Sequence, residues 1–184
     1  MTGAPIETHL RTLLAGFTPG DSHETESVEA VLAVLEKPNA LSATRFDPGH
    51  VTASAFVLHP SEPAVALILH SKIGRWLQPG GHVEPGDSSI VAAALREVHE
   101  EIGVGPADEP WLCDVDVHLF PARLDVPRHL HHDVRVAFTA DSTALVVGDG
   151  ADEAKWWPLN DAASLGESVA RPARKLRKWR AGRN

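Results

Sequence analysis

The segment that most constrains this chain runs from Pro79 to Val104. It opens Pro79-Gly80-Gly81-His82-Val83-Glu84-Pro85-Gly86-Asp87, too rich in glycine and proline to continue a helix. From Ser89 the pattern changes. Val91, Ala94, Leu95, Val98 and Ile102 recur at helical spacing and Gly103 stops the run, so Ser89–Ile102 reads as a helix. On that helix Glu97 and Glu101 share a face, and Glu100 adjoins Glu97. Arg96 can pair with Glu100, which leaves Glu97 and Glu101 as a free carboxylate pair. Such a pair suits a hard divalent cation. Magnesium takes oxygen ligands, keeps several waters and is commonly shared between carboxylates and substrate phosphates. A solvated helix face would show the same charge spacing, and spacing alone leaves both readings open.

The flanks set the fold class. Val51–Leu58 and Val65–His70 are rich in Val, Ile and Leu, with Ser61-Glu62-Pro63 between them, and read as two strands joined by a turn. Arg75-Trp76-Leu77 is a short extended piece. Cys113–Phe120 and Val134–Thr139 are strand-like, Val147–Asp152 is a loop, and Lys155–Leu159 is a short strand. Asn160-Asp161 is placed to cap a C-terminal helix that Pro172 enters or interrupts. Before the first strand, Leu10, Leu13, Leu14 and Phe17, then Val28, Val31, Leu32 and Leu35, recur at helical spacing on either side of Thr18-Pro19-Gly20. The reading is an α/β chain with a helical leader over residues 1–43, compatible with packing or with a homodimer contact, and a main domain over 44–184.

Composition excludes several classes. The chain has 184 residues, a formal net charge of -8 and one cysteine. One cysteine rules out an internal disulfide framework and a cysteine-rich zinc site. Net acidity argues against holding a nucleic-acid duplex by bulk charge. No apolar stretch approaches the length of a membrane span, and the N-terminus lacks a basic start followed by an apolar run. A cytoplasmic location is the expectation. The last fourteen residues hold seven basic side chains, Arg171, Arg174, Lys175, Arg177, Lys178, Arg180 and Arg183, and no acid. A solvated helix end is the plain reading of this tail.

The complete string resembles the Nudix box: Gly, five residues, Glu, seven residues, Arg-Glu, an aliphatic residue, any residue, Glu-Glu, any residue, Gly, an aliphatic residue. Arg96-Glu97-Val98-His99-Glu100-Glu101-Ile102-Gly103-Val104 matches the second half at every specified position, and Gly80-Gly81 matches the start. One residue is inserted between the halves. The first acid of the box falls on Asp87 when counted from Gly81 and on Ser88 when counted back from Arg96. With Trp76-Leu77-Gln78-Pro79 and Glu153–Leu159, the likeness extends over about residues 47–165.

The resemblance implies an α/β/α sandwich around a mixed central sheet. It implies a hydrolase that cleaves a diphosphate linking a nucleoside to another group, with magnesium or manganese as cofactor and a small molecule as partner. Glu97 and Glu101 become metal ligands, Glu100 a ligand or helper, the Gly80 carbonyl a further ligand, and Arg96 the partner that orients the glutamates. An acid beyond the box often assists in the family; Asp149, Asp152 and Glu153 are the candidates. A non-catalytic, nucleotide-sensing Nudix domain is the alternative, but such domains usually erode the glutamates, and all three are present.

Other residues carry weaker expectations. His82 is the best-placed single histidine for phosphate contact. His129-Leu130-His131-His132 stands before a strand, where alternation would send His129 and His131 to one face and His132 to the other. His131 is a candidate for phosphate or sugar contact. Zinc is the further reading of these histidines, without a second ligand pair at zinc spacing. Of adjacent Trp156 and Trp157, one should point inward and the other outward, where it could stack on a base; Trp156 and Glu153 are taken as candidate substrate contacts.

Overall fold

A computed structural model describes residues 5–123 and 126–182. Met1–Ala4, Leu124, Asp125, Arg183 and Asn184 lie outside the described residues. The elements are α1 (Ile6–Ala15), α2 (Ser22–Leu35), β1 (Gly49–Leu58), β2 (Ala64–His70), β3 (Trp76–Leu77), β4 (Gly80–His82) and α3 (Ile90–Ile102). They continue with β5 (Trp111–Phe120), β6 (His129–Thr139), β7 (Ala151–Pro158), α4 (Leu159–Ala162) and α5 (Glu167–Ala181). Their order in the sheet is β3-β2-β1-β6-β5, with β4 also on β1 and β7 also on β2. β1 and β6 run parallel from Gly49↔Leu130 to Leu58↔Thr139, and the other pairs are antiparallel. The sheet is therefore mixed, as expected.

Alternation along the central strands builds two cores. Val51, Ala53, Ala55 and Val57 of β1 join Val134, Val136 and Phe138 of β6 under α1, α2 and α3. Phe56 and Leu58 face the other way, with Ala137, Val169, Ala173 and Leu176 under α4 and α5. This is the α/β/α sandwich. Leu10, Leu14, Val31 and Val34 of the leader belong to the first core, so the described part of the leader and the sheet share one packed interior.

Four local expectations are corrected. β4 forms from residues that read as loop, because pairing with β1 overrides the poor strand propensity of Gly80-Gly81. β6 begins at His129 and β7 at Ala151, both earlier than the apolar runs suggested, because ladder pairing extends each strand through polar residues. Asn160 and Asp161 lie inside the short α4, and α5 starts only after Gly166. The basic tail is solvated only in part: Arg177 and Lys178 are exposed, and Arg183 lies outside the described residues. Arg171 binds Asp114, Asp116 and Glu24, Lys175 binds Glu24, and Arg180 donates to the His59 carbonyl.

Pro172 sits inside α5. It has no N–H for the Ser168 carbonyl four residues back. Arg135, a fully buried side chain, donates to that carbonyl instead. Its other hydrogen bonds go to Asp133, Asp114, Asp116 and the Ser168 hydroxyl, which satisfies all five N–H groups of the guanidinium. Between Leu112 and Asp114 the β5 register slips, so Asp114, Asp116 and His118 fall on the same face as Arg135.

Candidate active site

Three rows of polar side chains cross the sheet on the α5 side. His118, His131 and His50 form one row, Asp116, Asp133 and Thr52 the next, and Asp114, Arg135 and Ser54 the third, each set by strand register. β4 adds His82 opposite Thr52 and Gly80 opposite Ser54. The apolar half of the same face is the α5 core, so the polar half forms the floor of a cleft of about 920 Å³. Glu97, Glu100, Glu101, Gly80, Gly81, His82, His131, Asp133 and Asp149 line it.

The glutamates enter the cleft because α3 turns its carboxylate stripe toward β4. The helix is capped by Ser89, which accepts from the Ala92 N–H, and ends on left-handed Gly103. Glu101 lies on its buried face, and its Oε2 accepts from the Gly80 N–H at 2.9 Å. Glu97 lies flat on the loop: a Cβ on Gly81 would come within 2.6 Å of its Oε1. The glutamates are thus more engaged than a free pair. Arg96 Nη1 donates to Glu97 at 3.0 Å and to Glu100 at 3.1 Å. Its other nitrogens hold Asp87 and the His82 carbonyl.

The insertion in the box is thereby resolved. Asp87 is the acid that ties the loop to the helix. Its carboxylate also accepts from the Glu84 N–H at 2.8 Å, whereas Ser88 is exposed. Glu84 reaches Arg96 only at 3.9 Å.

Burial pushes the Glu101 carboxyl up to about 7; the Gly80 N–H opposes the shift, and the charges of Glu97 and Glu100 add to it. Burial also raises Glu97, against the pull of Arg96. A divalent cation would favour the ionised form of these buried carboxylates. An all-oxygen donor set fits magnesium or manganese, so the residues present suit the metal that the resemblance implied. On the floor, burial holds His50 down at about 4, and burial with the neighbouring histidines holds His131 down at about 3.

The loop after β6 brings one of the three candidate acids to the cleft. Gly148 N–H donates to the Glu101 carbonyl at 2.9 Å, and a Cβ on Gly148 would lie 1.8 Å from the Glu100 carbonyl oxygen, so only glycine fits there. Ser71 donates to the Gly150 carbonyl from its N–H and its hydroxyl. Between these anchors Asp149 lines the cleft. Asp152 and Glu153 are exposed residues of β7 outside the lining. Trp156 also stays out: strand alternation packs it with the α1–α3 core, and its Nε1 donates to the Thr143 carbonyl at 2.9 Å. Trp157 packs with the other core. Glu153 and Trp156, both expected as substrate contacts, therefore lie outside the cleft lining.

Several lining residues escaped the sequence reading. Lys72, Arg75 and Arg123 supply positive charge, and Trp76 and Phe120 supply aromatic faces. Gln78 and Asp133 join them, with Gln78 Nε2 3.3 Å from Asp133 Oδ2. The alternation of His129, His131, Asp133 and Arg135 was the available signal for the floor. Nothing in the sequence indicated that the rim cations converge.

The family model for the NUDIX domain matches residues 48–179, most of the chain. The chain belongs to the Nudix family. With membership goes the reaction class, hydrolysis at diphosphate bonds. Solved structures share the fold. The NUDIX domain of Shewanella oneidensis NrtR, complexed with ADP ribose, superposes with a TM-score of 0.56 at 20% identity, covering 80% of this chain and 97% of that one. A C. elegans Ap4A hydrolase in a binary complex gives 0.54 at 19%, covering 72% and 98%. The MutT NUDIX hydrolase of Burkholderia pseudomallei gives 0.51 at 22%, covering 68% and 95%. Among the described residues of this Nudix chain, no helix is long and apolar enough to cross a membrane.

Proposed function

We propose that this Nudix protein hydrolyses the diphosphate of a nucleoside diphosphate linked to another group, with magnesium or manganese held by Glu97, Glu100, Glu101 and the Gly80 carbonyl. The observation that carries the reading is Glu101 itself, a buried carboxylate facing the cleft beside two more glutamates, with one N–H as its partner. The bound cation would supply charge neutralisation of the phosphates and acidification of a water. The chain's own residues do the rest. Arg96 fixes the glutamates and the loop. Asp149 faces the cleft from an anchored loop and serves as the general base for the attacking water. Lys72, Arg75 and Arg123 attract the polyanionic substrate, and His82 and His131 contact its phosphates. Trp76 and Phe120 offer faces on which a base can stack.

ADP ribose in one structural relative and Ap4A in the name of another make ADP-ribose and dinucleoside polyphosphates the first compounds to assay, with nucleotide sugars and nucleoside triphosphates beside them. The test is release of nucleoside monophosphate or inorganic phosphate from that panel, with magnesium or manganese and with chelator. Metal-dependent turnover of at least one compound is expected, abolished in Glu101→Gln. Turnover of none, with tight binding of one, would favour the sensing alternative.

A further inference from the structure

His50, His82 and His131 come from three separate parts of the chain and meet on the cleft floor. The parallel β1–β6 register sets His50 opposite His131, and β4 brings His82 opposite Thr52, two residues along β1 from His50. One ring nitrogen from each lies within 4.8 Å of the others. The ring centroids are 5.1 Å apart for His50–His82, 5.0 Å for His50–His131 and 5.7 Å for His82–His131.

The second observation is at His50. The side chain is fully buried, and its Nδ1 lies 2.9 Å from the Arg45 carbonyl oxygen. A carbonyl only accepts, so Nδ1 carries the proton and Nε2 keeps the lone pair. That Nε2 is buried without a hydrogen-bond partner. An orphaned buried acceptor is costly, and it calls for a partner such as a water or an ion. An imidazole whose far nitrogen is fixed by a carbonyl is also how metal-binding histidines are oriented. His131 is fixed similarly: its Nε2 lies 3.0 Å from His129 Nε2, and His129 Nδ1 donates to the Pro127 carbonyl at 2.7 Å.

We propose that His50, His82 and His131 bind one transition-metal ion, zinc by donor preference, at a site separate from the glutamates. Three imidazoles favour zinc, cobalt or nickel over magnesium, which takes oxygen ligands. Three protein ligands leave a tetrahedral ion one open position. His82 and His131 both line the cleft, so that position faces it and takes a water or a phosphate oxygen of the substrate, and the phosphate contact of these two histidines is then made through the ion.

The test uses the full chain stripped of metal and then titrated with cobalt(II), with excess magnesium present to occupy the glutamates. The expected result is one equivalent of cobalt with the intense visible absorption of a tetrahedral site, displaced by one equivalent of zinc. His82→Ala and His50→Phe should each weaken cobalt binding by at least about tenfold, while a Glu97→Gln, Glu101→Gln double variant should keep the spectrum. Circular dichroism melting without metal checks that the variants fold; if His50→Phe does not, exposed His82 decides. No tetrahedral absorption, absorption unchanged in His82→Ala, or absorption lost only in the glutamate variant would overturn the assignment.

Discussion

Arg135 donates from Nη1 to the Ser168 carbonyl at 2.9 Å, filling the acceptor that Pro172 leaves without a helical donor. The same guanidinium pairs with Asp114, Asp116 and Asp133 inside the protein. A buried cation among three carboxylates holds the floor of the cleft to the C-terminal helix.

Removing that cation takes an ion-pair partner from three buried acids, of which Asp114 and Asp116 keep Arg171. Arg135→Met keeps the volume but not the charge, and should destabilise the fold by about 3–5 kcal/mol, the usual cost of breaking a buried pair from one side. Urea unfolding near neutral pH measures it. A loss below about 1 kcal/mol would show that the network contributes little to stability.

The C-terminal helix should be needed for folding. Truncation after Pro172 removes buried Ala173 and Leu176 and the Lys175 contact to Glu24. One buried leucine alone is worth about 2–5 kcal/mol when cut to alanine. The truncated chain should lose its cooperative melt or melt at a clearly lower temperature. Unchanged melting would mean that the tail packs only loosely.

Asp149 and Asp152 separate a role in the cleft from an acid on the surface. If Asp149 is the base, Asp149→Asn should lower kcat by about 10²–10⁴-fold with little change in stability. Exposed Asp152→Asn should leave kcat within about twofold by the same comparison. Equal effects of the two substitutions would remove Asp149 from the mechanism.

Glu101 sets a pH dependence. Its carboxyl sits at about 7 in the folded chain against an ordinary 4.5. Without metal, the folded state binds the extra proton more tightly. That contribution to stability is complete below about 4.5 and is lost as pH rises through about 7. Metal ligands must be ionised, so magnesium affinity should fall by up to about tenfold per pH unit below that value. Magnesium should therefore raise the melting temperature more near pH 8 than near pH 6. Glu101→Gln should remove the difference; an equal rise at both pH values in the natural chain would exclude Glu101 as a ligand.

Acid should loosen the buried network. Burial disfavours ionised Asp116, but hydrogen bonds from His118 and the Arg135 charge outweigh it and hold the carboxyl well below its ordinary range. Asp133 is lowered against burial too, by the Arg135 and His118 charges and by hydrogen bonds from Arg135 and Ser54. Both contribute stability that is present above about pH 4 and is lost as pH falls through the folded-state values. Urea midpoints should drop steeply below about pH 4. In Asp116→Asn that slope should be shallower, and an identical slope would place the acid-sensitive groups elsewhere.

The sequence by itself determined what is local. Runs rich in Val, Ile and Leu gave β1 and β2, helical spacing gave α3, and the spacing of Arg96, Glu97, Glu100 and Glu101 pointed to one chemistry, because neighbours on a single helix are fixed by its geometry. Alternation also foresaw that His129 and His131 would share a face. Only the tertiary structure decided what depends on register and on distant segments. The parallel β1–β6 pairing joined His50 to His131, and β4 delivered His82. The slip at Cys113 turned Asp114 and Asp116 toward Arg135, and the loop anchored at Gly148 carried Asp149, rather than Glu153, into the cleft. A one-residue shift in pairing would send each of these side chains to the opposite face, and one sequence read locally holds no record of the partner strand.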